Sequence, residues 1–483
     1  MKKKGSDDEL GFALTKNADQ IADGFKLGDG PKEETFSFDD FIGINYTETL
    51  EFTIYTTTFY KSWFGNIDKE YRELRTTQYT AGEGMNLETA KSLRNIVLTK
   101  FNTYLSKVYG CGIRHEDHSS YCPAEENSWE KKVLVFISPK SGKGAAQKNW
   151  NQIEKALEAS GFKAEVALTE SRDWAMNYVK DLPFDKFKEF YMVIVCGGDG
   201  MVNEVINGFF NRQPPGFFSP NLRLRIGTLA GGSACGAMTQ ACKNWGLKQS
   251  VENAMYVLTR AKLNNMQITR FMVDKQIGPS NTGDGNPVDP SNTEPQIYRG
   301  FHSFAFGMSA NNIKNSEKFR YAGEGRYTLG AMQNILFSLP KRKMKIWVTE
   351  EKVDELPDIN VDPQGWELIE DEMYEFLAVW YPHFTGKYTI TTKVTQDSDF
   401  GEACIVPTKC GWTGVIGMFN AAEKAQLETC ENVMIKKWRA FKVELSDDRF
   451  INDENTFCAI DGDWHPGQRV QACIEESIVR QCS

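Results

Sequence analysis

The chain has 483 residues, of which 41% are apolar and 25% charged, and its net charge is −9. That length is too great for one compact core, so two or three domains are expected, and the composition excludes wholesale disorder. The acidic balance argues against a dedicated nucleic-acid binder, and no apolar run reaches the ~18 residues needed to cross a bilayer.

The start, Met1-Lys2-Lys3-Lys4-Gly5, has no secretory apolar stretch and carries Lys at position 2, so neither export nor N-myristoylation is expected. Arg480-Gln481-Cys482-Ser483 is no prenylation box. The eleven cysteines are odd in number and are expected as reduced thiols in a cytoplasmic protein. Residues 1–33 are polar and read as a disordered tail. In 34–110, strands are expected at 49–58 and 71–79. A helix is expected over 87–108, with Leu93, Ile96, Val97, Phe101 and Leu105 at helical spacing, which makes a small β domain closed by a helix. The linker 111–130 holds Cys111, His115, His118 and Cys122. Such a set can bind zinc, but zinc sites usually draw ligand pairs from two elements, so a metal-free polar linker is the other reading.

From 131 to 266, strands at 132–137, 164–168, 190–196 and 222–229 alternate with helices. This is the pattern of a parallel α/β sheet, whose ligands bind beyond the carboxyl ends of its strands. Residues 267–483 read as a β-rich domain with strands at 374–381, 388–392, 440–444 and 455–460. A Gly-, Pro- and Asn-rich insertion at 278–295 is expected to be disordered. The basic run Lys341-Arg342-Lys343-Met344-Lys345 fits either a solvated face or a membrane or phosphate contact.

Three glycine turns follow strands of the α/β region: Ser138-Pro139-Lys140-Ser141-Gly142-Lys143-Gly144, Gly197-Gly198-Asp199-Gly200 and Gly231-Gly232-Ser233-Ala234-Cys235-Gly236. Free backbone N–H groups at a helix start bind phosphates, and three such turns in one sheet say more than one. None fits the P-loop or Gly-x-Gly-x-x-Gly spacing. Asp199 stands where phosphates would bind. It serves either as a helix cap worth ~1 kcal/mol, or as a carboxylate acting through Mg²⁺ or as a proton acceptor in phosphoryl transfer.

The run Val195-Cys196-Gly197-Gly198-Asp199-Gly200-Met201-Val202-Asn203-Glu204-Val205-Ile206-Asn207-Gly208 resembles the signature of the diacylglycerol kinase catalytic superfamily, especially its sphingosine and ceramide kinase branch. The resemblance continues through Leu168-Thr169-Glu170-Ser171-Arg172, Ser316-Glu317-Lys318-Phe319-Arg320, Gly323-Glu324-Gly325-Arg326 and Ala459-Ile460-Asp461-Gly462-Asp463, in order over residues 132–475. It implies a parallel α/β nucleotide-binding domain followed by a β-rich lipid-binding domain, with the site in the cleft between them. The first β domain is similar to a pleckstrin-homology-like region. The resemblance implies Asp199 as the base that activates a lipid hydroxyl. It places ATP and Mg²⁺ on Ser138, Lys140, Thr169, Arg172, Gly197, Gly198, Gly200, Glu204, Gly232, Ser233, Arg320, Arg326, Asp461, Gly462 and Asp463, with no resident metal site. The implied partners are a lipid at a membrane surface, met by a cytoplasmic, peripherally associated enzyme, and optionally a second copy of the chain, but no nucleic acid.

Three departures from the family pattern matter, and the last bears on the lipid. Ser138 replaces an amide residue of the first turn, and Ala234-Cys235 replaces polar residues in the third. Ile313 stands where sphingosine kinases place an aspartate against the sphingoid amine. Asn311 and Asn312 beside it suit an amide or hydroxyl. A sphingoid-base kinase is the favoured expectation, with a ceramide or other neutral-lipid kinase and an inactive lipid-binding scaffold as alternatives.

Overall fold

Aromatic and β-branched residues alternate along Glu51–Lys61 and Ile67–Thr80, and these form the long central pair of an antiparallel sheet flanked by Phe41–Tyr46. Helix α1 (Leu87–Tyr109) starts where the Asn86 side chain accepts from the Thr89 N–H and stops at Gly110 with φ of 64°. It buries Val97, Leu98, Phe101 and Leu105. The computed structural model describes residues 2–3, 12–16, 22–27, 34–61, 67–80, 85–110, 131–212, 223–231, 235–274, 295–316, 341–381, 389–396, 398–446, 457–475 and 478–483. Cys111, His115, His118, Cys122, Gly232, Ser233, Arg320, Arg326 and all but the last residue of 278–295 therefore lie outside the described residues.

Residues 1–33 are not wholly the disordered tail expected of them. Phe12–Lys16 pairs with Ala22–Leu27, which pairs on its other side with Glu34–Ser37. The reason is Phe25, fully buried in an aromatic cluster with Phe36, Phe38 and Phe41.

The four apolar runs of the α/β region pair in parallel in the order Leu224–Ala230, Met192–Gly197, Lys131–Ile137, Phe162–Leu168. Their connections carry α2 (Ala145–Ala159), α3 (Trp174–Asp181), α4 (Phe184–Lys188), α5 (Asp199–Asn211), α6 (Gly236–Lys243) and α7 (Val251–Arg260). Helix α3 packs on α5, and α2 packs on α7. The domain boundary expected at 267 is crossed by the chain. Val479–Cys482 lies parallel to Leu224–Ala230 inside this sheet, with Leu263–Asn265 antiparallel beyond it. Val479 and Cys482 are fully buried there, and that apolar burial returns the segment to the first sheet.

The β-rich lobe is an extended antiparallel sheet with Glu367–Val379 near its centre, paired with Arg342–Thr349, Ser303–Gly307 and Gly401–Pro407. One face buries Phe304, Phe376, Trp380, Trp438 and Phe441. The other buries Leu377, Cys404 and Val406 under α8 (Met308–Ser316) and α9 (Gly411–Glu423), through Met308, Ala310, Val415 and Met418. The basic run is part of an ordinary strand, in which Lys343 stands opposite Glu372 and Lys345 opposite Glu370. The strand expected at 388–392 does not form over its described residues. Thr389 N–H bonds to the Ala422 carbonyl at the end of α9, and the Thr391 hydroxyl bonds to Glu402. The described cysteines are free thiols, and no described helix is long and apolar enough to cross a membrane.

Arg260, fully buried at the end of α7, donates to the carbonyls of Phe41 at 2.9 Å and Asp39 at 2.5 Å, stitching the first lobe to the second. Arg260→Met would leave those acceptors buried and unmet. A loss of about 3 kcal/mol in chemical denaturation is expected. An unchanged midpoint would show that the two lobes do not rely on this contact.

Candidate active site

The four parallel strands end at one edge, and their turns are laced together. Ser138 N–H donates to the Cys196 carbonyl at 3.2 Å, Thr169 N–H to Ile137 at 2.9 Å and Gly231 N–H to Gly197 at 3.0 Å. The exposed Lys140 lies in the first of these turns. Gly231 is required by packing, since a Cβ there would lie 2.6 Å from the Ala146 Cβ of α2. The expected convergence of glycine turns at the carboxyl end of the sheet is what the chain builds.

Asp199 is the first residue of α5, yet it does not cap its own helix. Gly198 is the N-cap residue, and the Asp199 carboxylate crosses to the next turn. There Oδ2 accepts from Gly236 N–H at 2.7 Å and Oδ1 from Ala237 N–H at 3.1 Å. Asp199 thus sits between the positive ends of α5 and α6. The Cys235 thiol donates to Oδ1 at 3.5 Å, and burial first, then Asp199, holds that thiol well above its usual range and so protonated. Cys235, in the run where the sequence lacks the usual polar residues, thereby supplies a donor of its own. Behind α6, Gln481 donates to the Ala237 carbonyl at 2.6 Å and accepts from the Tyr381 hydroxyl. Burial, then Asp199 and Cys235, push the Tyr381 phenol up and keep it a donor.

The β-rich lobe reaches this edge through a hairpin. Asp461 (φ 50°) and Gly462 (φ 87°) form the two-residue turn between Phe457–Ile460 and Asp463–Pro466, which needs positive φ at both positions. Asp461 was expected on the nucleotide or its metal, but both its oxygens are filled by protein donors. Oδ1 accepts from the backbone N–H of His302 and Ser303, and Oδ2 from that of Phe301 and from the Asn203 amide, all within 3.0 Å. Burial raises this acid, and His302 and these donors oppose the rise. Asp463 points the other way. Its Oδ1 pairs with Arg172 at 3.3 Å, and a Cβ on Gly200 would lie 3.5 Å from its Oδ2, beside the start of α5. The pair is largely exposed, so its strength is at most ~1 kcal/mol and it is easily exchanged for a ligand.

Glu204, expected to touch nucleotide, positions a loop. Its Oε2 accepts from Ala175 N–H at 3.1 Å at the start of α3, holding the segment that carries Thr169 and Arg172. Burial raises this acid, and backbone donors from Asp173, Ala175 and Met176 counter it. Two residues that were not singled out in the sequence share this helix. The Asn203 amide donates to the Arg299 carbonyl at 2.9 Å, and Asn207 both donates to it and accepts from Arg299 N–H. Their i, i+4 spacing within the Asp199 motif was the available signal. Gly208 lets α5 cross α3, where a Cβ would lie 2.4 Å from the Met176 carbonyl oxygen.

Asn311, Asn312 and Ile313 lie on α8, which packs on the strands Ser303–Gly307, Glu367–Val379, Phe457–Ile460 and Asp463–Pro466. Ile313 packs on the apolar layer beneath the helix, and the buried Asn312 Oδ1 meets no partner among the described residues. Beside them is Glu375, 1% exposed, whose Oε2 accepts from Ser309 N–H at 2.5 Å while its Oε1 meets no partner among the described residues. Burial pushes its acid up to about 8, against the Ser309 bond. Among the described residues no group of three or more His, Cys, Asp or Glu could hold a metal ion.

A raised carboxyl in the folded state favours folding at low pH. The contribution of Glu375 is complete below its ordinary 4.5 and is lost by about pH 8. Wild-type protein should therefore lose several kcal/mol relative to Glu375→Leu between about pH 5 and 8. Parallel pH-dependent denaturation curves for the two proteins would contradict this.

Residues 132–271 match the family model of the diacylglycerol kinase catalytic domain. The chain is 32% identical over 117 residues to a ceramide kinase of Oryza sativa subsp. japonica, covering 22% of this chain and 19% of that protein. It is 26% identical over 208 residues to sphingosine kinase 1 of Arabidopsis thaliana, covering 43% of this chain and 37% of that protein. The matched stretches thus span well under half the length of these relatives. A solved protein of Bacillus anthracis str. Sterne, a proposed diacylglycerol kinase, shares the fold with a TM-score of 0.50 at 17% identity, over 73% of this chain and 95% of that one.

Proposed function

We propose, from the membership of residues 132–271 in the diacylglycerol kinase catalytic domain family, that this chain is an ATP-dependent lipid kinase acting on the primary hydroxyl of a sphingoid base. The observation that carries the reading is Asp199, a carboxylate fixed between two helix N-termini at the edge where four strand turns meet the hairpin of the second lobe. A helix cap alone would not need a neighbouring lobe to face it.

In this reading the phosphates lie against the glycine turns at 138–140, 197–200 and 231–236. Arg172 leaves Asp463 to meet the developing charge. The lipid hydroxyl attacks the γ-phosphorus as Asp199 accepts its proton. The new O–P bond forms as the bond from γ-phosphorus to the β,γ-bridging oxygen breaks, and ADP leaves with that electron pair. Mg²⁺ would be carried mainly by the phosphates and would neutralise their charge, with Asp463, beside the start of α5, the protein carboxylate that would help to hold it. The lipid arrives from a membrane surface, which the enzyme meets peripherally.

Asp199→Asn should lower kcat by at least about 100-fold while the KM for ATP stays within a few-fold. Near-normal turnover from a folded variant would sink the assignment. Phosphate transfer from labelled ATP, compared across sphingosine, ceramide and diacylglycerol, tests the substrate class directly. Sphingosine should be the preferred acceptor.

A further inference from the structure

Helix α9 runs from Gly411 to Glu423, and Glu423, its last residue, is the only charged one. Val415, Met418 and Ala422 are buried against the sheet, as the inner stripe of a surface helix should be. The outward stripe should be polar, and it is not. Trp412 is 60% exposed and Ile416, one turn on, is 37% exposed. A second tryptophan, Trp464, is 40% exposed on the same side of the sheet, where it stands opposite Ala459 and lies 5.6 Å from the Lys314 ammonium of α8. Among the described residues these are the exposed tryptophans. Single apolar side chains on a surface are ordinary, but an uncharged helix with its tryptophan turned outward marks a contact. The flanks indicate the partner. Lys409 precedes the helix and Lys424 follows it, both exposed, so an apolar strip is bracketed by two cations. A phospholipid bilayer has the complementary layering, with phosphates outside and hydrocarbon beneath. Lysine stems lie along apolar surface while their ammonium groups reach the phosphates, and indole puts an apolar ring and one N–H donor at the boundary. Thirteen residues fall short of the ~20 that span a bilayer, so such a helix lies in the interface. The basic strand is a poorer candidate, because Lys343 and Lys345 stand opposite Glu372 and Glu370.

We propose that the outward stripe of α9, led by Trp412 and Ile416, is the surface by which this chain docks on a membrane, entering the interface of a phospholipid bilayer. This rests on the lipid-kinase reading above, for which it supplies the contact that brings the enzyme to its acceptor. The stripe is apolar, so docking needs no anionic lipid and salt weakens it little.

The test is co-sedimentation of the full-length protein with phosphatidylcholine vesicles, with and without phosphatidylserine. Wild type should bind both, and about 0.5 M salt should change its partition less than about threefold. Trp412→Ala should weaken partition about tenfold or more, and Ile416→Gln about threefold or more. Val361→Ala, at an exposed apolar position elsewhere in the same lobe, should leave it unchanged. Both α9 side chains are at the surface, so the variants should keep the wild-type thermal midpoint, and Ile416→Gln serves if Trp412→Ala does not fold. No vesicle binding by the wild type, or binding that persists in the folded α9 variants, overturns the proposal. So does binding that needs phosphatidylserine and disappears in salt. A lipid-free wild type that sediments as a dimer, and as a monomer once Trp412→Ala is made, would assign the stripe to a second copy and overturn it too. The two readings fail separately. Docking that depends on Trp412 without phosphate transfer to any lipid would remove the kinase reading alone, whereas phosphate transfer by a protein whose docking ignores Trp412 would remove this one alone.

Discussion

One docking contact organises the rest of the molecule: the face of α5 on which Asn203 and Asn207 grip the backbone of Arg299 and the carboxylate of Asp461. The first turn of that helix presents Asp199 to α6, and its second and third turns hold the β-rich lobe. The chemistry and the lobe arrangement are therefore set by one rigid rod. Rotation of α5 about its axis would misplace both together. Amide side chains suit the task, because each can donate to one backbone group and accept from another without placing a net charge in a half-buried seam.

The same economy explains the acids of the site. Asp199, Glu204 and Asp461 all accept backbone N–H groups, yet with different outcomes. Glu204 and Asp461 are spent on structure, one on the start of α3 and the other on the stretch from Phe301 to Ser303. Asp463 is tied by a contact that solvent and ligand can compete for. Reading function from acid residues alone would rank these four alike. Asp199 and Asp461 both have their oxygens met by protein donors, and Asp199 differs in standing where the turns of the parallel strands converge.

Much of the α/β lobe was legible in sequence because buried parallel strands are continuous apolar runs, and glycine turns mark where helices begin. The four strands and Asp199 fall where those signals placed them. The roles of Asp461 and Glu204 were not legible, since a capping acid and a ligand-binding acid look identical until their donors are known. Helix α9 was missed for a different reason. Gly411, Gly414 and Gly417 weaken its helical signature, and it forms because Val415 and Met418 are buried against the sheet. Glu375 was hidden among apolar neighbours, on the same face of its strand as the buried Leu377 and Val379. The strand 479–482 was misassigned to the nearer lobe because sequence proximity carries no information about which sheet a segment completes.

That last strand has a consequence for how the chain is assembled. Gln481 reaches Ala237 across 244 positions of sequence, and Val479–Cys482 fills the gap between Leu224–Ala230 and Leu263–Asn265. During synthesis the α/β sheet stands open at that gap until the β-rich lobe that intervenes in sequence has emerged. The nascent chain therefore carries an unpaired sheet edge over that interval, and closure is a slow, non-local step. The helix end that holds Asp199 is braced by Gln481, so the edge that carries Asp199 takes its final form only with that closure.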